Sequence, residues 1–218
     1  MRKTFTVIVP SVLLLSTSVG FAHGPVRQKV VEKIQINAAP AVVWGAIKNY
    51  GDISWLPGVK STESTNLPAG DGDCQENARN ELVWVGIGQE DVAAATTPCA
   101  IRAITLDDGA TIEEVIKSYT DQDMEYAYKI TNMSTVKTIQ YSGEEVAITA
   151  VPVSNYSASI RVKDDAKGGS EVTWKAGFYR GYMNNNPPPE LTEQVAVDAV
   201  TAIFKKGLTN LKTIAEGK

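Results

Sequence analysis

Histidine occurs once in this sequence, at position 23, and cysteine twice, at positions 74 and 99. A Ser-His-Asp catalytic set would have to recruit that imidazole from the very start of the mature chain. The cysteines lack the close Cys-X-X-Cys spacing of a redox pair, so in an oxidising compartment Cys74 and Cys99 are expected to form a structural disulfide. Closing a loop of that length stabilises a fold by roughly 3 kcal/mol, and it leaves no free thiol for nucleophilic chemistry. No glycine-rich phosphate loop and no zinc-type ligand cluster is present. Acidic residues outnumber basic ones, 25 to 21, a poor balance for binding nucleic acid. Only one long apolar run exists, residues 5–21, and Pro10 with several serines and threonines interrupts it. That run is too short and too broken for a stable membrane span, and nothing later is long enough.

What is there begins with that run. Arg2-Lys3 precede it, and Gly20-Phe21-Ala22 supply the small residues a signal peptidase reads. Residues 1–22 are therefore expected to be a signal peptide, cleaved near Ala22, with a periplasmic or secreted product. No cysteine lies near the cleavage point to carry a lipid, so no membrane anchor is expected. Losing Arg2 and Lys3 takes the formal net charge from −4 to −6. The remaining length, 23–218, suits one domain with a sizeable core. An N-terminal His23 would offer an amine and an imidazole, a chelate suited to copper. One residue seldom makes a selective site and termini are usually disordered, so chance cleavage explains it more simply. No metal and no cofactor is implied.

Periodicity then orders the mature chain. Residues 26–36 alternate as a first strand, with Val30, Ile34 and Ile36 on one face. Pro40 opens a short helix carrying Val43, Trp44 and Ile47. A second short helix is expected over 52–56, stopped by Pro57-Gly58. Residues 59–67 read as a strand and 68–73 as a turn. Between the cysteines, 76–84 fits a helix and 82–87 fits a strand equally well, and the whole of 74–99 reads as an insertion clamped at its neck. Strands follow over 124–131, 136–141, 145–151, 156–162 and 171–179. A last helical pattern over 190–215 places Leu191, Val195, Ala199, Ile203, Leu208, Leu211 and Ile214 near helical spacing, with Gly207 a mild blemish. One antiparallel sheet curling around a single long helix is an α+β arrangement.

The most informative stretch is 101–119, which alternates on both sides of an Asp107-Asp108-Gly109 turn. Arg102, Ile104 and Leu106 share a face on the first arm; Ala110, Ile112, Glu114 and Ile116 share one on the second. A two-residue loop would set these apolar sets on opposite faces of the sheet. A three-residue loop with Gly109 left-handed pairs Leu106 with Ala110 and keeps them together. Continued, that register puts Arg102 opposite Glu114. Either the pair is a rim contact of little consequence, or it is buried, which calls for a cavity with water or a polar ligand group, because a dry core seldom tolerates it.

The order of elements resembles the START-like, helix-grip superfamily of polyketide cyclases, birch-pollen allergens and lipid-transfer domains. The resemblance is carried by Ile36-Asn37-Ala38-Ala39-Pro40 with Val43-Trp44, by Asp52 and Trp55-Leu56-Pro57-Gly58-Val59, and by Arg102, Leu106, Gly109, Ile112 and Glu114. It continues through Tyr128, Val151-Pro152-Val153, Asn155-Tyr156 and Val172-Thr173-Trp174. Within the superfamily the start, His23-Gly24-Pro25 and Lys29-Val30-Val31-Glu32, looks most like the MxaD-type periplasmic proteins associated with methanol dehydrogenase and its cytochrome. The segments 74–99 and 133–150 depart from the pattern, and new surface loops bring new partners.

The resemblance implies a helix-grip fold with two short helices after the first strand, and a cavity between the sheet and the long helix. Its expected lining is Trp55, Arg102, Glu114, Tyr126, Tyr128, Tyr156, Trp174 and Phe204. Aromatic residues with polar tips suit a small hydrophobic or amphipathic ligand; the alternative is an ordinary core satisfied by its own hydrogen bonds. Arg102 is expected either to pair with Glu114 or to hold a ligand carboxylate. Three functions follow: a periplasmic ligand-binding protein, accessory to a dehydrogenase or cytochrome; a cyclase-like enzyme using Glu114 as acid or base; and an interaction module with a filled core.

Overall fold

The computed structural model describes residues 24–217 apart from 67, 69 and 90. The expected signal peptide and His23 lie outside the described residues. The chain runs β1 (Gln28–Ile36), α1 (Pro40–Ile47), β2 (Val59–Thr65), β3 (Gly72–Glu76), β4 (Leu82–Gly86), β5 (Ile101–Leu106) and β6 (Thr111–Thr120). It continues through β7 (Glu125–Met133), β8 (Thr135–Tyr141), β9 (Glu144–Thr149), β10 (Val153–Asp164) and β11 (Ser170–Arg180). A 3-10 turn over Pro189–Leu191 then leads into α2 (Glu193–Ala215). The main sheet is ordered β1-β11-β10-β7-β6, and every pairing in it is antiparallel. The free side of β6 is shared: its first half pairs with β5, which pairs with β2, and its end pairs with β3, which pairs with β4. Strands β8 and β9 form a separate hairpin. This is an α+β fold in which the curved sheet wraps the long C-terminal helix.

Local chemistry explains the elements. Pro40 at the first turn starts α1, which buries Val43, Trp44 and Ile47. The second short helix expected over 52–56 does not form. The Asp52 carboxylate accepts from the Ser54 amide at 2.8 Å, an Asx turn that competes with helical bonding. Gly58 then follows at φ +98°, in the left-handed region. The result is a string of turns leading directly into β2.

Between the cysteines the strand reading is right and the helical one wrong. Asn77 is buried, and its side-chain oxygen accepts from the amides of Arg79 and Glu81, which folds 77–81 into the β3–β4 turn. The chain returns along β4 through bonds from Trp84 to Thr97 and from Cys99 to Leu82. Val83, Val85 and Ala95 close a small core of their own. Cys74 and Cys99 are disulfide-bonded, with Cα atoms 5.7 Å apart.

The C-terminal helix is shorter at its start and rotated relative to the expected face. Thr192 is extended, and its hydroxyl accepts from the Val195 amide, capping the helix from Glu193 onward. The buried stripe is Ala196, Val200, Phe204, Gly207, Leu208 and Leu211, whereas Val195, Ala199 and Ile203 are half-buried at its side and Ile214 is exposed. Gly207 is no blemish. A Cβ there would stand 2.8 Å from both Leu56 Cδ1 and Trp174 Cζ3, so only glycine lets the helix approach the tryptophans. Arg180 at the end of β11 pairs with Glu193 and donates to the carbonyls of Tyr182 and Asn184, holding the loop that feeds the helix.

Candidate functional site

The β5–β6 hairpin builds the polar wall. Gly109 is left-handed at φ +86°, the Leu106 amide donates to the Ala110 carbonyl at 2.8 Å, and Arg102 stands directly opposite Glu114. The three-residue loop therefore sets the register, and both charges point inward. Arg102 has no solvent exposure and Glu114 is buried. Arg102 Nε donates to Glu114 Oε2 at 2.6 Å, and its Nη1 donates to the Tyr50 carbonyl at 3.0 Å. The guanidinium carbon lies 4.4 Å from the Tyr50 ring centroid, 4.9 Å from that of Tyr128 and 5.9 Å from that of Tyr126, so aromatic faces stabilise the cation as well. Its Nη2 is buried without a partner among the described residues.

Beside this pair, between the inner face of the sheet and α2, lies a cavity of about 440 Å³. Its walls are mainly aliphatic, from Ile104 and Ile112 on the hairpin, Ile130 and Val151 across the sheet, and Val200 and Ile203 on α2. Glu114, Tyr128, Tyr156 and Trp174 supply the inner polar atoms, while Asp107, Asp108 and Lys206, all exposed, frame the mouth. The mouth is stitched together by the Asp107 amide, which donates to the Gly58 carbonyl at 3.0 Å. Trp174 Nε1 donates to Tyr128 Oη at 3.0 Å, and the Trp174 ring stacks on Phe204 at 4.2 Å.

Burial pushes the Glu114 carboxyl above its ordinary value, and Arg102 pulls it back. The hydroxyls of Tyr128 and Tyr156 are pushed up, chiefly by burial. The two phenols therefore donate and accept hydrogen bonds at neutral pH without ionising. Among the described residues no group of His, Cys, Asp and Glu could hold a metal ion.

Of the residues expected to line the cavity, Glu114, Tyr128, Tyr156, Trp174 and Phe204 do so. Trp55, Arg102 and Tyr126 stand behind them. Trp55 packs on Trp174 at 5.3 Å, and Tyr126 fills the layer between Tyr50 and Tyr128. Arg102 is committed to Glu114 and Tyr50 and does not border the cavity. Sequence reasoning missed Tyr50, which lies between the two expected short helices, and the rim residues Asp107, Asp108 and Lys206. The turn signal did mark both aspartates; nothing local marked Lys206.

Residues 27–216 match the family described as polyketide cyclase / dehydrase and lipid transport. The chain belongs to that family. Solved structures share its fold. An uncharacterised protein from Bacillus thuringiensis aligns with a TM-score of 0.56 at 19% identity, over 86% of this chain and 98% of that one. The protein XoxI from Bacillus cereus aligns at 0.54 and 20%, over 85% and 94%. Ara h 8.0201 aligns at 0.52 and 15%, over 88% and 99%. No curated protein matches the chain.

Proposed function

We propose that this chain binds a small, largely apolar ligand in the cavity between the curved sheet and α2. One observation carries the reading: a space of about 440 Å³, walled by aliphatic and aromatic side chains and reached by a framed mouth. That size and lining suit a small-molecule site, which is typically apolar with a few placed polar groups. The lipid-transport part of the family description is in keeping with it. Native mass spectrometry of the purified protein tests it. The expected result is a non-covalent adduct that disappears in Ile203→Trp, where an indole fills the space. A ligand-free mass, together with no binding of the neutral dye Nile red, would overturn it.

The finer reading is an exported protein that docks on a periplasmic redox enzyme such as methanol dehydrogenase or its cytochrome. It is supported by the leader-like start, the Cys74–Cys99 disulfide and the resemblance carried by residues 23–32. Sedimentation of the purified partners together tests it. Failure to associate at micromolar concentrations removes these partners and leaves the cavity reading standing.

A cyclase-like enzyme is the second reading, favoured by the position of Glu114 on the cavity wall with a carboxyl that burial pushes up. Unchanged turnover by Glu114→Gln across a panel of polyketide-like substrates would remove it.

A further inference from the structure

The inner polar atoms of the cavity are not symmetric toward a ligand. Glu114 borders the space, and one of its oxygens is taken by Arg102. No other donor among the described residues reaches the carboxylate. The compensating cation sits behind it, with Nε on Glu114, Nη1 on the Tyr50 carbonyl and the Tyr50 and Tyr128 rings packed around it. Its remaining nitrogen, Nη2, is buried as well, and no part of Arg102 borders the cavity, so a ligand reaches the cation only if those rings move. Tyr128 Oη already accepts from Trp174 and is hydrogen-bonded to the Tyr156 hydroxyl as well. A ligand therefore meets a carboxylate first and an arginine not at all.

We propose that the cavity selects an amphipathic ligand whose polar end is a neutral O–H or N–H donor, seated on the free oxygen of Glu114, and rejects the matching carboxylate. The proposal rests on the cavity reading above and adds the chemistry of the head group. A hydroxyl gains an acceptor carrying charge, a stronger hydrogen bond than one between neutral groups. A ligand carboxylate in the same place meets like charge in a site of low dielectric, with its own hydration lost. Asp107 and Asp108 at the mouth add negative charge on the way in, opposed there by Lys206.

Three probes sharing one ring system decide it: 1-naphthol, 1-methylnaphthalene and 1-naphthoate, each titrated at pH 7 against Nile red bound to the full protein. Naphthol should displace the dye about fivefold or more better than methylnaphthalene, the worth of one net hydrogen bond. Naphthoate should be the weakest of the three. In Glu114→Gln, which keeps an acceptor and loses the charge, the naphthoate penalty should shrink by about tenfold, a change of about 1.4 kcal/mol. Each naphthoate penalty is read against methylnaphthalene in the same protein, so that a general change of the pocket cancels. Naphthoate binding as tightly as naphthol to the natural protein overturns the proposal, as does a naphthoate penalty that Glu114→Gln leaves in place. If Nile red itself fails to bind, the cavity reading fails and this proposal with it.

Discussion

Arg102 has lost all its water, and its charge is balanced by one carboxylate, one carbonyl and the faces of three rings. Such a pair contributes little net stability, yet removing one member strands the other in the interior. Arg102→Met should therefore cost about 3–5 kcal/mol in urea unfolding, and Arg102→Met with Glu114→Leu should recover most of it. A loss in the double variant equal to the sum of the losses in Arg102→Met and Glu114→Leu alone would show that the two side chains are not coupled. The single variant should also acquire a pH dependence. Without Arg102, only burial acts on Glu114, and it raises the carboxyl. A folded value above the unfolded one means that the folded state holds the extra proton, so stability falls as pH rises from the ordinary carboxylate range through the folded value. Arg102→Met should be more stable at pH 5 than at pH 7. Gly207 is the opposite kind of residue, chosen for what it lacks. In an exposed helix Gly→Ala gains about 1 kcal/mol. Here the new methyl meets Leu56 and Trp174 at 2.8 Å, an overpacking that typically costs about 1–3 kcal/mol. Gly207→Ala should lower the melting temperature rather than raise it.

At the level of elements, what could be read from sequence was what local chemistry decides. The β5–β6 hairpin was legible down to its register because alternation and a left-handed Gly109 act over a dozen residues. The strands β7, β10 and β11 were legible for the same reason. The second short helix failed because the Asp52 side chain supplies its own turn, which apolar spacing does not register. The face of α2 was misjudged in its first half because the buried stripe there, Ala196, Val200, Phe204 and Gly207, includes two small residues, while the apolar Val195 and Ile203 flank it half-buried. Alternation also assigns a side chain to a face, never to a depth. Trp55, Arg102 and Tyr126 point inward as expected, but one layer behind the cavity wall. The segment between the cysteines was ambiguous because its order depends on Asn77 reaching the Ala95 carbonyl far along the chain. That segment meets the main sheet at the start of β3, where Gly72 pairs with Tyr119 and Asp73 with Ser118, and through Trp84, which packs into the main core, while the disulfide closes its neck. Reducing the disulfide should cost roughly 3 kcal/mol of global stability. Amide exchange should quicken first over residues 82–86, while β10 and β11 keep their protection; uniform exchange across the sheet would contradict this.

The whole molecule is held around a row of tyrosines on the inner face of the sheet and next to it. Burial is the largest influence on Tyr50, Tyr126, Tyr128 and Tyr156, and it pushes all four hydroxyls above the ordinary phenol value of 10.0. Tyr119, at the edge beside Asp121, is pushed up to about 12. The sign follows from proton counting. Above pH 10 the unfolded chain releases these protons and the folded chain keeps them, so stability falls with rising pH. Each fully shifted group contributes a slope of about 1.4 kcal/mol per pH unit, and the four buried ones together about 5.5 kcal/mol per unit at most. A domain stable by about 5–15 kcal/mol then has only about one to three units of margin above pH 10. Absorbance at 295 nm should therefore show the buried phenols ionising in one step, coincident with loss of far-ultraviolet circular dichroism. Because the row borders the cavity through Tyr128 and Tyr156, a ligand seated there stabilises only the folded, protonated state, and saturating ligand should move that step to higher pH. Gradual ionisation with the circular dichroism intact would mean that the cavity wall already admits water to the row, and that the polar end of the site is wetter than its hydrogen bonds require.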